Sequence, residues 1–285
     1  MSTTIIDGKK IAKETRIDIA KDVQALLDNG KKTGLAVILV GNNPASHVYV
    51  KNKIKACAEV GIESFEYQLD ESATYNEIEA LILELNDNDE IDGILLQLPL
   101  PDHLSKVQED LVQLINPEKD VDGLTITNAG KLILATQGGL IPCTPSGSLH
   151  LIKEIKEDLS GLYAVVIGRS NLFGKPMAQL LLQENCTVTT AHSRTKNIQE
   201  ICKQADILVA AVGREKMVQS NWVKDGAIVI DVGINRMENG KLCGDVDFDN
   251  VKEIAGAITP VPGGVGPMTI TYLLANTLEA SRKKA

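Results

Sequence analysis

Apolar residues fall into two series of short runs separated by helical patterns. Between Lys9 and about Leu27, the residues Ile11, Ile17, Ile19, Val23, Leu26 and Leu27 recur near helical spacing before Asn29 and Gly30 stop the run, which predicts a first helix. Gly34 to Gly41 (GLAVILVG), Ser64 to Leu69 and Asp92 to Leu98 (DGILLQL) are short β-branched or apolar runs, each preceded by a helical pattern. That alternation predicts βα units and a mostly parallel sheet. A second series follows in Tyr163 to Gly168 (YAVVIG), Thr187 to Ala191, Asp206 to Gly213 (DILVAAVG) and Ala227 to Gly233 (AIVIDVG). Pro142, Pro145 and Gly147 lie between the two series and read as a linker. Pro260 to Pro267 (PVPGGVGP) interrupts the chain again before a final apolar helix from Met268 to about Ala280, which is assigned to the first domain. The predicted fold class is α/β in two domains: an N-terminal α/β domain of residues 1–143 plus 267–285, and a C-terminal parallel-sheet domain of residues 144–266.

Composition narrows this picture. A chain of 285 residues with 44% hydrophobic content exceeds the usual single-domain size and can bury a sizeable core. Aromatics at 3% leave a core of Ile, Val, Leu and Ala, which suits parallel sheets flanked by helices better than a β-sandwich. A net charge of -9 supplies no basic field for a phosphate backbone, so no nucleic-acid partner is expected. Cys57, Cys143, Cys186, Cys202 and Cys243 form no C-x-x-C pair and read as buried reduced thiols. The start MSTTIIDGKKIAKE carries charges where a signal peptide needs an apolar block, and no run reaches the ~20 apolar residues of a membrane span, so a cytoplasmic protein without membrane contact is expected.

The chemistry begins at the second series. The strand Ala164 to Ile167 runs into Gly168, Arg169, Ser170, Gly174, Lys175 and Pro176 and then a helical run through Leu180, Leu181 and Leu182. A glycine at a strand end lets backbone N–H groups approach a pyrophosphate, and the helix N-terminus favours negative charge. The G-x-S-x-x-x-G-x-P pattern is not the G-x-G-x-x-G fingerprint, and its spacing also fits a structural βα turn. The next strand ends in Ser193, Arg194 and Thr195, with no carboxylate for a ribose hydroxyl. Arg169 and Arg194 with Ser193 suit a 2′-phosphate, which favours NADP over NAD, although each arginine taken singly reads as a solvated surface residue.

In the first series, Asn43 and Pro44 suit the cap and first turn of a helix running to about Val60, closed by Gly61. Val50, Ile54, Cys57 and Ala58 cluster as its packing face, with Ser46, Tyr49 and Lys53 as an adjacent stripe and Lys51, Lys55 and Glu59 pointing away. At the edge of a buried face, desolvation lowers an amine pKa; an isolated lysine near a tyrosine reads instead as a snorkelling surface residue. Gln97 is a polar amide inside the run before Pro99, at a strand end where parallel sheets bind ligands. In Lys119 to Leu124 (KDVDGL), Asp120 and Asp122 stand beside Gly123, so one carboxylate suits a ligand's amino groups, although Asp-x-Asp-Gly by itself reads as a turn. His47, His103, His150 and His192 show no metal-ligand spacing, and no metal is expected.

Taken together, SHVYVKNKIKA (Ser46 to Ala56), GILLQLPLP, PEKDVDGL, PCTPSG, GRSNLFGKP and PVPGGVGPMT closely resemble the bifunctional methylenetetrahydrofolate dehydrogenase/methenyltetrahydrofolate cyclohydrolase family, in that family's order and over nearly the whole chain. The resemblance implies an N-terminal catalytic domain, a C-terminal Rossmann-like NADP domain and a homodimer. It also implies an enzyme that oxidises 5,10-methylenetetrahydrofolate with NADP and hydrolyses the product to 10-formyltetrahydrofolate. It places the chain in one-carbon metabolism, serving purine, methionine and histidine biosynthesis. Carried over by position, Lys53 resembles the essential catalytic lysine, Tyr49 the residue stacking on the pterin, Gln97 its tuning partner and Asp122 the residue holding the pterin's amino edge. Leu96 and Leu98 join the tetrahydrofolate-binding positions, as do Pro262, Gly263, Gly264, Val265 and Gly266, which the resemblance sets on the folate side near the nicotinamide. Gly168, Arg169, Ser170, Ser193, Arg194 and Ile234 are the implied cofactor-binding positions. Two other readings compete: an NAD(P)-dependent dehydrogenase of another small substrate without the hydrolase step, and a silent nucleotide-binding protein. The joint presence of Tyr49, Lys53, Gln97 and Asp122 argues against the first, and the intact Lys53 against a silent nucleotide-binding or scaffolding protein.

Overall fold

The computed structural model describes residues 3–284. The chain opens with β1 (Thr4–Ile5) and α1 (Gly8–Asp28), then alternates through β2 (Gly34–Val40), α2 (Pro44–Val60), β3 (Glu63–Leu69), α3 (Tyr75–Asp87) and β4 (Gly93–Leu96). Helices α4 (Gln108–Gln113), α5 (Ile126–Ile133) and α6 (Cys143–Ile155) lead to β5 (Tyr163–Ile167), α7 (Gly174–Gln183), β6 (Thr187–Ala191), α8 (Ile198–Cys202) and β7 (Ile207–Ala210). The remainder comprises β8 (Ile228–Asp231), the pair β9 (Asn235–Arg236) and β10 (Leu242–Cys243), α9 (Phe248–Val251), β11 (Ala257–Ile258) and α10 (Val265–Arg282). Two compact α/β units result, one of Glu14–Cys143 with Ile270–Ala285, the other of Met1–Lys13 with Thr144–Thr269.

The first unit is built on a three-stranded parallel sheet in the order β3-β2-β4. Every residue of β2 is buried, as a central strand covered on both faces requires. Its alternation sorts the core into two halves. Leu35, Val37 and Leu39 pack with Val50, Cys57 and Val60 of α2 and with Leu273, Leu274 and Leu278 of α10. Ala36, Ile38 and Val40 pack with Ile78, Ile82 and Leu85 of α3. Thr74 and Glu77 form a reciprocal capping box that starts α3.

The second unit carries a six-stranded parallel sheet in the order β1-β11-β8-β7-β5-β6. Because the chain goes from β5 outward to β6 and then returns to the other side as β7, the direction of winding reverses between β5 and β7. That reversal opens a crevice at the strand C-termini.

Several boundaries differ from the sequence expectation, for identifiable reasons. Residues 1–13 group with the six-stranded unit rather than with the N-terminal domain, because β1 pairs with β11, Thr4 opposite Ala257 and Ile5 opposite Ile258. The expected linker at Pro142, Pro145 and Gly147 is largely helix: Pro145 occupies the first turn of α6, where no N–H is needed, and Gly147 admits a close helix contact. A Cβ on Gly147 would lie 2.7 Å from Met268 Cβ. The last helix begins at Val265 instead of Met268, again with a proline, Pro267, in its first turn. Strand β4 ends at Leu96, so Gln97 and Leu98 lie just beyond it.

Candidate active site

Helix α2 begins as its sequence suggests: the Asn43 side chain accepts the Ser46 amide at 3.2 Å, and Pro44 takes the first helical position. Gly61, at φ +83°, ends the helix, with the Ile62 amide reaching back to the Cys57 carbonyl. The buried face differs from the expected one. Ser46, Val50, Lys53, Cys57 and Val60 are buried at alternating spacings of four and three, whereas Ala58 is exposed and Ile54 half-buried. Lys53 therefore stands within the packing stripe, 7% exposed, and Tyr49 one turn earlier is 39% exposed. Lys51, Lys55 and Glu59 face outward as expected.

The Lys53 ammonium donates to Gln97 Oε1 at 3.0 Å, and Gln97 Nε2 donates to the Leu98 carbonyl at 2.6 Å. The Gln97 amide N–H still completes the ladder to Ile38 O, so the side chain projects from a fixed point just past β4. Leu96 is buried at the strand end, Leu98 is half-buried, and the Leu98–Pro99 peptide is cis.

The turn after residue 119 separates its two acids. Asp120 Oδ2 accepts the Thr125 amide at 2.7 Å and Asn128 Nδ2 at 2.9 Å, shaping the turn and the start of α5. Gly123, at φ +69°, comes so close to Pro142 that a Cβ would lie 2.6 Å from its nitrogen. Asp122 keeps partial solvent access, yet surrounding protein pushes its carboxyl above the ordinary range; Lys53 pulls it back and Asp120 adds to the rise. Cys143 completes the cluster. Its thiol donates to the Val121 carbonyl at 3.2 Å and lies within hydrogen-bonding reach of Asp122, and burial, followed by Asp122, holds it well above the ordinary thiol value. Asn276, from α10, donates to the carbonyls of Val121 and Ile141, each at 2.8 Å. Cys143 is a free buried thiol, as the sequence predicts, whereas Asn276 is not among the residues the sequence singles out. The available signal was one amide inside the otherwise apolar stretch ITYLLANTL.

The six-stranded unit holds the other candidate residues at the C-terminal ends of its strands. Gly168 follows β5 at φ +133°, and a Cβ there would lie 2.4 Å from the Ala211 carbonyl oxygen beyond β7, at the reversal of the sheet. A Cβ on Gly174 would lie 2.3 Å from Gly168 O, so both glycines serve close backbone approach. Ser170 Oγ accepts the amides of Phe173 and Gly174 at 3.2 and 3.4 Å, which preforms the entry to α7. Arg169 is exposed beside this turn, and Ser193 and Arg194 are exposed in the turn after β6, which neighbours β5. Ile234, 51% exposed, follows β8. Strand ends, a glycine turn and exposed guanidinium groups together fit a phosphorylated dinucleotide.

Pro262, Gly263, Gly264, Val265 and Gly266 form the connection from β11 into α10. Gly263, at φ +109°, accepts the Lys9 amide at its carbonyl, and Gly8 approaches Gly264 O so closely that no Cβ fits between them. Among the described residues no group of three or more His, Cys, Asp or Glu is arranged to hold a metal, and no helix is long and apolar enough to cross a membrane.

Comparison with known proteins follows the same division. Residues 6–122 match the model of the tetrahydrofolate dehydrogenase/cyclohydrolase catalytic domain, and residues 142–285 match that family's NAD(P)-binding domain. The bifunctional protein FolD of Acetivibrio thermocellus is 51% identical over 285 residues, covering 100% of this chain and 99% of its own. The crystal structure of the bifunctional methylenetetrahydrofolate dehydrogenase/cyclohydrolase FolD from Campylobacter jejuni superimposes with a TM-score of 0.97 at 46% identity, over 100% of both chains. The corresponding Trypanosoma brucei enzyme, solved with NADP cofactor and inhibitor, gives 0.93 at 36% identity, over 100% of this chain and 99% of that one.

Proposed function

The chain belongs to the tetrahydrofolate dehydrogenase/cyclohydrolase family, and from that premise we propose a division of labour in which the Lys53 cluster handles the folate and the glycine turn the dinucleotide. The protein oxidises 5,10-methylenetetrahydrofolate to 5,10-methenyltetrahydrofolate with NADP and hydrolyses that product to 10-formyltetrahydrofolate. When bound, NADP supplies the hydride acceptor. Loss of a hydride from the methylene bridge leaves a cation stabilised by its two flanking nitrogens, so this half-reaction asks the chain for alignment rather than for a strong base. Gly168, Arg169, Ser170, Ser193, Arg194 and Ile234 hold the cofactor, with the arginines taking the 2′-phosphate.

The hydrolytic half depends on Lys53. Its anchoring by Gln97 at 3.0 Å, within a buried helix face, is the observation that carries the reading. That bond fixes Nζ while leaving further N–H groups for the substrate. In its neutral form Nζ also takes the proton from water attacking the methenyl carbon and returns it as the ring opens. Asp122 receives the pterin's amino edge, Tyr49 stacks on the pterin, and Leu96, Leu98 and residues from Pro262 to Gly266 shape the folate site. The enzyme works as a cytoplasmic homodimer, which sedimentation of the purified protein checks.

Lys53→Ala is expected to abolish methenyl hydrolysis while leaving NADP affinity within about twofold, a small change in free energy. Near-normal hydrolysis by this variant would sink the role given to Lys53. The cofactor assignment has its own measurement. One charge-assisted contact contributes on the order of 1.5 to 3 kcal/mol, so kcat/KM should favour NADP over NAD by about tenfold or more. Parity would remove the arginines from the cofactor site.

A further inference from the structure

Two of the buried carboxylates outside the Lys53 cluster are linked through one set of backbone amides. Asp231, 3% exposed, closes β8, and Asp245, fully buried, follows β10. Desolvating a carboxylate is costly unless its lone pairs are filled, and here they are filled almost entirely by backbone amides. Asp245 Oδ2 accepts from Val212 N at 2.6 Å and Gly213 N at 3.0 Å, while its Oδ1 accepts from Arg214 N at 2.8 Å and Asn235 Nδ2 at 3.0 Å. Asp231 Oδ1 accepts from Gly233 N at 3.1 Å and Asp245 N at 2.8 Å, and its Oδ2 accepts from Val246 N at 2.9 Å. Three loops, after β7, β8 and β10, are thus gathered onto two side chains. The fit leaves no spare room. A Cβ on Gly233 would lie 2.2 Å from Asp245 Oδ1, and one on Gly244 would lie 1.8 Å from Asp231 Oδ2.

Two of these loops end at the dinucleotide positions. The loop after β7 starts with Ala211, whose carbonyl is the surface on which Gly168 rests. The loop after β8 carries Ile234 between Gly233 and Asn235, both of which donate to the carboxylates. We propose that Asp231 and Asp245 form a carboxylate clasp that positions the floor of the dinucleotide site, setting NADP affinity without touching the reacting atoms. This rests on the dinucleotide reading given above. The charged group acting on Asp231 is Asp245 itself, and nearby Lys216 Nζ lies 4.0 Å from Asp247. The donors to the clasp itself are amides, so its geometry survives changes of salt that weaken surface pairs.

The hydrolase step needs no dinucleotide and so serves as an internal control. In Asp245→Asn, one acceptor oxygen becomes a donor facing backbone N–H groups, and the KM for NADP is expected to rise about tenfold or more. The rate of methenyl hydrolysis and the KM for the folate substrate should stay within about twofold. Asn235→Ala, which removes one donor and keeps the carboxylate, should raise the NADP KM by about threefold and carries the test if Asp245→Asn does not fold. An unchanged NADP KM in the folded variants, or a parallel loss of both activities, overturns the clasp. A wild-type protein that hydrolyses methenyltetrahydrofolate but reduces no NADP would instead overturn the dinucleotide reading, and the clasp with it.

Discussion

Asp120 and Asp122 are two residues apart on one turn, and their partners divide the work between them. Asp120 receives the Thr125 amide and the Asn128 side chain, whereas Asp122 stands beside Lys53 and Cys143 with its carboxyl raised by burial. Asp122→Asn replaces an acceptor by a donor, and folate binding should weaken by about 1 to 3 kcal/mol. Asn also serves in turns, so thermal unfolding of the apo protein should hardly move. Asp120→Asn should do the reverse, lowering stability with little direct effect on affinity. Unchanged folate affinity in Asp122→Asn would return that residue to a turn. Hydropathy spacing made Lys53 visible as a residue near a packing face, but not as a member of it. A lysine reads as polar wherever it stands, and only the depth of the neighbouring β4 end, with Gln97 waiting there, makes its burial affordable.

At the scale of elements, the long runs were legible because a fully buried parallel strand such as β2 is apolar throughout and α1 repeats its apolar residues every turn. Strands of two residues, β1 and β11, carry no period at all. The prolines misled for a different reason: Pro145 and Pro267 sit in first turns, where proline starts a helix as readily as it breaks a chain. Gly147 tests the helix contact behind this. Alanine would improve helix propensity by about 1 kcal/mol, yet its methyl group would lie 2.7 Å from Met268 Cβ. Overpacking typically costs about 1 to 3 kcal/mol, so Gly147→Ala should lower the denaturation midpoint. A gain in stability would show that α6 and the Met268 turn separate cheaply.

For the whole molecule, the clasp predicts how stability follows pH. Burial foremost, and Asp245 after it, raises Asp231 from 3.8 to about 7. The native state therefore binds a proton that the unfolded chain has released, and stability falls as pH rises through that window. The contribution is fully present below the unfolded value and lost above about pH 7, on the order of a few kcal/mol in all. Denaturant titrations of wild type and Asp231→Asn between these limits should show a decline in the first and a flatter line in the second. The pairing of Thr4 with Ala257 has a consequence for the growing chain. As the polypeptide leaves the ribosome, its opening strand has no neighbour until the last strand is made, and the β2 sheet lacks Leu273, Leu274 and Leu278 until the final helix follows. Each unit draws on segments from both sides of residue 143, so neither core is complete until residues beyond 257 are made, and cleavage between residues 143 and 144 leaves no fragment that owns a whole core.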